Sequence, residues 1–369
     1  MSGRICSSSL ATLLAVSIVH LGSVVVNPAK ESPKDLLRKV LEGKPAVALS
    51  SIQFQRQQGM IGPTKVRVEQ DPAGRTRRTV LEPSKWSGVV SYDNGRTLMT
   101  VNPREREVIV QSSPMRAKMP VDERLELIGR NYRLSFEPTS AIAGRSTRCI
   151  VATPLRRELY TRRYYVDAEA QVVLRFQTVT SAGSARTLLD TESVTVTTSV
   201  ADLDRLPPSE GYRVFKVPPP VAVNNPKSVV DVVGFVPRIP TSLPYGFVVY
   251  EVHLLGDRHD GQFIGARLTD GLATATVYQW DSKVRKRFAP SRDQRHVRDS
   301  LGVWYSAVGD VPEAVRARLL ETFLKAAESE MYGEEYYDGE LQFLPELLEL
   351  VRRLVVELQS IAPSRAVTG

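Results

Sequence analysis

From about Ala46 to Val200, apolar and polar residues alternate with a period of two. Ile52 and Phe54 alternate with Gln53 and Gln55, and Val66 and Val68 with Arg67 and Glu69. The same pattern runs through Val108 and Val110, through Tyr132, Leu134 and Phe136, and through Val172, Leu174 and Phe176. Successive side chains of a strand point to opposite faces, so each run predicts a strand with one buried face. Turn signals at Asp71-Pro72-Ala73-Gly74, Asp93-Asn94-Gly95, Asn102-Pro103-Arg104 and Ser181-Ala182-Gly183 separate the runs and predict an antiparallel meander. Two short helices accompany it. Leu36, Leu37, Val40 and Leu41 fall at helical spacing within residues 31–43, with Pro33 in the first turn. Leu125 and Ile128 share a face in Val121–Arg130. One face of the sheet must be covered by something apolar, and these helices are the local candidates. The reading is α+β: a curved antiparallel sheet wrapped over helices, enclosing an apolar concavity. Ile52, Phe54, Leu134, Phe136, Leu174 and Phe176 are the candidate lining of that concavity for lipid, and ordinary core explains the same side chains.

A proline-rich linker, residues 206–228, ends this 30–205 domain with Leu206-Pro207-Pro208, Val217-Pro218-Pro219-Pro220 and Asn224-Asn225-Pro226. A smaller α+β domain over 229–327 follows. Its predicted strands are Val248–Leu254, Gln262–Leu268, Leu272–Trp280 and Gly302–Val308. A helix with Val315, Leu319 and Phe323 on its buried face then begins, with Asp310 as N-cap and Glu313 closing a capping box.

The two ends differ from the body. Leu10–Val26 contains no charged residue, which predicts a cleaved export signal within residues 1–29, with an uncleaved membrane anchor or a buried helix as alternatives. Residues 328–369 combine an acidic segment with a leucine-rich stripe over Leu344–Leu358, suited to a docked helix or a two-heptad coiled coil. Residues 321–369 hold ten acids against four bases, although the whole chain of 369 residues is +8.

Composition changes this picture little. Hydrophobic residues make up 42% and charged residues 24%, which excludes wholesale disorder. After loss of a signal only Cys149 of the 2 cysteines remains, so no internal disulfide forms; its strand-like setting suits a small buried residue. His253 and His259 lack metal-ligand spacing, and no nucleophile elbow, phosphate loop or dinucleotide fingerprint is present. The expectation is a binding protein with no cofactor and no metal. Arginines at 75, 77 and 78, at 156, 157, 162 and 163, and a basic run at 285–287 suit a solvated strand face first and an anionic membrane surface second; nucleic acid is not an expected partner.

Several segments, in order, resemble a known family. They are Ser91-Tyr92-Asp93-Asn94-Gly95-Arg96 with Met99–Pro103, Ala143-Gly144-Arg145 with Tyr164–Asp167 and Val173-Leu174-Arg175, then Leu243–Phe247, Thr269–Ala273 and Val308–Pro312. With the export signal and the proline-rich linker, the arrangement over about residues 34–327 resembles the periplasmic sigma-E regulatory proteins of the MucB/RseB type. The first domain is similar to lipoprotein carriers of the LolA/LolB kind. The resemblance implies a half-barrel first domain and a non-enzymatic, extracytoplasmic negative regulator. Such a protein binds the periplasmic part of a transmembrane anti-sigma factor and is released by lipid or mislocalised lipoprotein. A periplasmic carrier or sorting protein for lipid or lipoprotein is the alternative. Partner-facing candidates are Tyr245, Phe247 and Leu272 in the second domain and Leu347, Val351 and Leu354 in the C-terminal stripe. The stripe has no counterpart in the family pattern.

Overall fold

Two mostly antiparallel sheets, one large and open and one small, organise the described residues in a computed structural model. Residues 31–332 are described, except 57–61, 115–118, 139, 198–199, 201–202, 204–209, 258–260, 282–296 and 299–301. The expected export signal, the basic run at 285–287 and the C-terminal stripe with Leu347, Val351 and Leu354 lie outside the described residues.

Helix α1 (Pro33–Glu42) leads into strands β1 (Ala48–Gln55), β2 (Thr64–Gln70), β3 (Thr76–Glu82), β4 (Val90–Asp93), β5 (Thr97–Asn102) and β6 (Glu107–Ser112). Helix α2 (Val121–Asn131) runs directly into β7 (Tyr132–Glu137), followed by β8 (Thr147–Pro154), β9 (Thr161–Asp167), β10 (Val173–Val179) and the long β11 (Ala185–Thr197). The sheet order is β12-β6-β5-β4-β3-β2-β1-β11-β10-β9-β8-β7, so the sheet is unclosed and β1 meets β11 at its centre. Strand β12 (Arg213–Lys216) comes from the expected linker and adds to β6 in parallel, Arg213 opposite Glu107 and Lys216 opposite Val110. The linker is therefore partly an edge strand, because an extended segment beside an open edge satisfies its own backbone there.

The expected helices formed because each has an apolar stripe to bury. Leu36 and Leu37 of α1 and Leu125, Leu127 and Ile128 of α2 are buried, and the two helices pack on each other and on β7. They share a core with Tyr132, Ile150, Ala152 and Val166 of the sheet.

The second sheet has the order β13-β14-β15-β16-β18-β17. Its strands are β13 (Val221–Ala222), β14 (Val248–Asp257), β15 (Gly261–Thr269), β16 (Thr274–Trp280), β17 (Val297–Arg298) and β18 (Trp304–Gly309). A single-turn helix α3 (Val230–Val233) and the long α4 (Glu313–Tyr332) pack on it, and Val315, Leu319, Leu320 and Phe323 of α4 enter its core. Helix α4 starts two residues later than an Asp310 cap implies. The Arg316 amide bonds the Pro312 carbonyl, and Asp310 turns its carboxylate to Arg162 instead of capping the helix. The described residues from Pro33 onward form one compact unit.

Candidate functional site

The concave face of the large sheet has two ends with different chemistry. Under β7, β8 and β9 it is dry. Leu36, Leu37, Leu125, Ile128, Ile150, Ala152 and Val166 fill it, and Leu272 joins them from the turn between β15 and β16 of the other sheet. That turn is held by α2. Arg124 Nε donates to the Gly271 carbonyl at 2.6 Å, Asn131 Nδ2 to the Asp270 carbonyl at 2.8 Å and to the Gly246 carbonyl at 3.0 Å. Gly271 has φ +103°, and a Cβ there would sit 2.7 Å from Ile128 Cγ1 and 2.9 Å from the Ile128 nitrogen, so only glycine lets the turn approach.

The Asp270 carboxylate accepts from the Tyr132 hydroxyl at 2.6 Å and from the Leu272 and Ala273 amides. Burial raises the Asp270 pKa above the usual carboxylate range, and these donors with the Arg162 charge offset the rise only in part. Burial likewise raises the Tyr132 phenol, reinforced by the Asp270 charge. Nearby, Arg162 of β9 is 2% exposed and grips Asp310 with Nη1–Oδ2 at 2.8 Å and Nη2–Oδ1 at 2.7 Å. Burial alone would lower the guanidinium pKa; the Asp310 charge overrides it and leaves the group firmly cationic. These bonds tie the two sheets together in a charge-assisted network.

Under β1 and β2 the same face mixes amides with aliphatic side chains. A cleft of about 260 Å³ opens beside the end of α1, lined by Val40, Lys44, Gln53, Gln55, Val68, Gln70, Gln171, Val173 and Leu189, among others. Arg78 Nε donates to Gln55 Oε1 at 3.1 Å, Gln55 Nε2 to Gln53 Oε1 at 2.8 Å, Gln53 Nε2 to Ser51 Oγ at 2.9 Å and Ser51 Oγ to the Val68 carbonyl at 3.4 Å. Burial lowers the Arg78 pKa, and its hydrogen-bonding partner among the described residues is this neutral amide. A second cleft of about 320 Å³ lies between Met119, Pro120 and Glu123 at the start of α2 and Val249, Tyr250 and Glu251 of β14.

The expected lipid lining does not come together. Ser51 and Gln53 are buried, whereas Ile52 and Phe54 fall between them on the opposite face and are half-buried. Phe54 lies under the Lys65 ammonium on that outer face. Leu174 is fully buried at a bulge of β10, and Leu134 packs against the dry core. Phe176 stacks on Tyr164 with ring centroids 4.8 Å apart. Phe136 is 36% exposed with Arg148 over its ring. Of the partner-facing candidates, Phe247 is buried in the core of the small sheet, Tyr245 packs against that core, and Leu272 is buried under α1 and α2. None of these three presents a free apolar surface.

The arginine groups are largely spent within the chain. Arg75 pairs with Asp71, Arg77 with Glu69, Arg163 with Glu137 and Arg162 with Asp310. Cys149 is buried, and desolvation followed by the Glu137 charge pushes its thiol up to about 11, which removes it as a nucleophile. Among the described residues no group of His, Cys, Asp and Glu is arranged to hold a metal, and no helix is long and apolar enough to cross a membrane. The inward glutamines are not among the residues expected from the alternation. The run Ile52-Gln53-Phe54-Gln55 carries the signal, but alternation alone assigned its inner face to the apolar partners.

Residues 90–209 match the family model described as the MucB/RseB N-terminal domain. No curated protein matches the chain. A crystal structure of MucB is 16% identical, with 79% of this chain and 96% of that chain covered and a TM-score of 0.53. The Pseudomonas aeruginosa MucA/MucB complex is 14% identical, covers 78% of this chain and 96% of that one, and has a TM-score of 0.52. MucB in complex with MucA(peri) gives the same identity and TM-score. At these identities the likeness is one of fold. Family model and fold together bear out the resemblance to the MucB/RseB type and the mostly antiparallel, unclosed sheet expected from the sequence.

Proposed function

We propose that this chain is an extracytoplasmic, non-enzymatic binding protein that regulates sigma-factor signalling by holding the extracytoplasmic part of a transmembrane anti-sigma factor. The observation that carries this reading is the MucB fold over 79% of the chain, joined to the family match at residues 90–209. MucB itself has been seen bound to MucA, and the same kind of partner is carried over here. The rigid coupling of the sheets through Arg162–Asp310 and the Asp270 turn supports it, because a binder that presents two sheets as one surface loses little freedom on association. The uncharged Leu10–Val26 run supports placement outside the cytoplasm.

The carrier alternative needs a dry, open cavity for an acyl chain. The dry end of the concave face is filled by the chain's own leucines, and the open end is floored with amides, whose desolvation an acyl chain would not offset. Lipid release of the partner would therefore act elsewhere than in an apolar half-barrel pocket.

The test is isothermal titration of the purified chain with the extracytoplasmic segment of the membrane-bound anti-sigma factor of the same genome. A one-to-one complex in the micromolar range or tighter is expected. Heats indistinguishable from dilution, with the segment equally cut by protease in the presence and absence of the chain, would sink the reading.

A further inference from the structure

The amide chain in the polar cleft has a fixed direction. Arg78 can only donate and the Val68 carbonyl can only accept, so both ends dictate how each amide between them is turned. Gln55 must offer its oxygen to Arg78 and its nitrogen to Gln53, and Gln53 must do the same toward Ser51. Each amide has two N–H donors and two oxygen lone pairs, and the chain uses one of each. Gln53 and Gln55 therefore each keep one donor and one acceptor, side by side on alternate residues of β1, at the floor of an open cleft. Gln70 and Gln171 add two amides with no hydrogen-bonding partner among the described residues. Gln171 holds its place with φ +58°, a left-handed backbone that a non-glycine residue adopts only against strain.

Alternating donors and acceptors at the spacing of a strand match another extended main chain. Gly43, Lys44 and Pro45 form one rim, and the rest of the lining is aliphatic: Val40, Val68, Val172, Val173 and Leu189. Among the described residues it has no aromatic ring on which a sugar could stack, and its amides disfavour an acyl chain. At about 260 Å³ the cleft falls below the ~300–1,000 Å³ of a site that encloses a whole small molecule, and suits a piece of a longer ligand.

We infer that this glutamine-floored cleft is a peptide site, in which Gln53, Gln55, Gln70 and Gln171 hydrogen-bond the main chain of an extended segment whose aliphatic side chain packs on Val40, Val68 and Leu189. The inference rests on the regulatory reading for the identity of its peptide, the anti-sigma factor segment, but not for its chemistry.

Two variants test it. Gln53→Leu/Gln55→Leu removes the array while keeping side-chain size. Gln171→Gly removes one amide and relieves the left-handed backbone, so its melting temperature should stay level or rise. The probes are the anti-sigma factor segment and a phage-displayed library of random peptides. The expected result is about tenfold or greater loss of segment affinity in the double variant. A severalfold loss in Gln171→Gly, without loss of stability, is expected beside it, a split that a merely structural role would not give. Segment binding that is equal in wild type and variants overturns the cleft and leaves the regulatory reading standing. A segment that does not bind wild type overturns the regulatory reading, and the library then decides the cleft. Peptides enriched on wild type but not on the double variant uphold it; identical enrichment on both, or none on either, overturns it. Native mass spectrometry that finds a saccharide or acyl chain bound to wild type and displacing the enriched peptides overturns the peptide assignment.

Discussion

The two ends of the concave face are built on one sheet, yet one is sealed and the other is open. Under β7 to β9 two helices and a turn from the second sheet bring leucines and isoleucine together until no room remains. Among the described residues no such turn reaches β1 and β2, and the inward side chains of β1 there are serine and glutamine, beside Val66 and Val68 of β2. The difference teaches where a fold of this kind keeps binding capacity. The sealed end gains stability from apolar burial and from the lock to the second sheet. The open end contributes less to the core and keeps hydrogen-bonding groups whose direction is already set.

The sharpest way to break the contrast is at the lock. In Asp310→Ala the Arg162 guanidinium stays buried without its partner. Breaking such a pair costs roughly 3–5 kcal/mol. Water reaches the Asp310 side, with its side chain 42% exposed, so a loss near about 3 kcal/mol is expected from urea midpoints. Arg162→Met combined with Asp310→Ala should recover much of it. A loss below about 1 kcal/mol for the single change would mean that solvent already screens the pair. Next comes Leu272→Ala, which opens a hole in the dry end. Large-to-small core changes of this type cost about 2–5 kcal/mol, and the change should leave peptide affinity at the glutamine end unaltered. Coupled losses at both ends would show that the two halves of the face are not independent.

A smaller effect separates the ends by pH. Asp270 is held above the usual carboxylate range, so the folded state binds its proton more tightly than the unfolded state does. The stability it contributes is full below the unfolded value of about 4 and is lost as pH rises through the folded value. Asp270→Asn should flatten that fall, so the difference between variant and wild type moves in favour of the variant from pH 4 to pH 8. Asp167 gives the opposite sign at the edge of the polar end. Burial pushes it up, but the Arg145 ion pair and the Glu169 and Ala170 amides outweigh burial and leave it below the usual range. Its contribution is present at neutral pH and disappears as pH falls through that lowered value. Identical pH profiles for wild type and Asp270→Asn would remove Asp270 from the account.

Much of the fold was legible in the alternation. The two helices, the meander and most strand spans follow from period and turn signals, because those patterns reflect local burial. What local pattern cannot carry is which face a strand turns inward when both sets of side chains are plausible. Along β1 the choice fell on Ser51 and Gln53 because they sit opposite Val68 and Val66 of β2, while Ile52 and Phe54 sit opposite Arg67 and Lys65. A register shift against β11 between Ile52 and Gln53 then separates the strand from a simple two-residue repeat. The burial of Leu272, expected to face a partner, was illegible for another reason. Asp270-Gly271 reads as an ordinary hairpin turn, and its insertion beneath α1 and α2 depends on a contact with residues more than a hundred positions away. Asp310 reads as a helix cap by the same local logic and is taken by Arg162 across the sheets.

The weakest effect tests the outer limit of the dry end. Phe136 is on the edge strand β7, in the same alternating set as Tyr132 and Leu134, so apolar pattern alone makes it part of the concavity. It is 36% exposed, and the Arg148 guanidinium carbon lies 4.2 Å from its ring centroid. An exposed cation–π contact is worth roughly 0.5–1 kcal/mol, and the covered part of the ring adds to it when the ring is removed. Phe136→Ala should therefore lower stability by about 1–2 kcal/mol, short of the roughly 3–5 kcal/mol of a phenylalanine taken from a closed core. Arg148→Met should lose the cation–π share alone, and the double variant little more than Phe136→Ala, because the two changes remove one shared contact. A loss above about 3 kcal/mol in Phe136→Ala would instead extend the sealed region to the sheet's edge and sharpen its contrast with the open glutamine cleft.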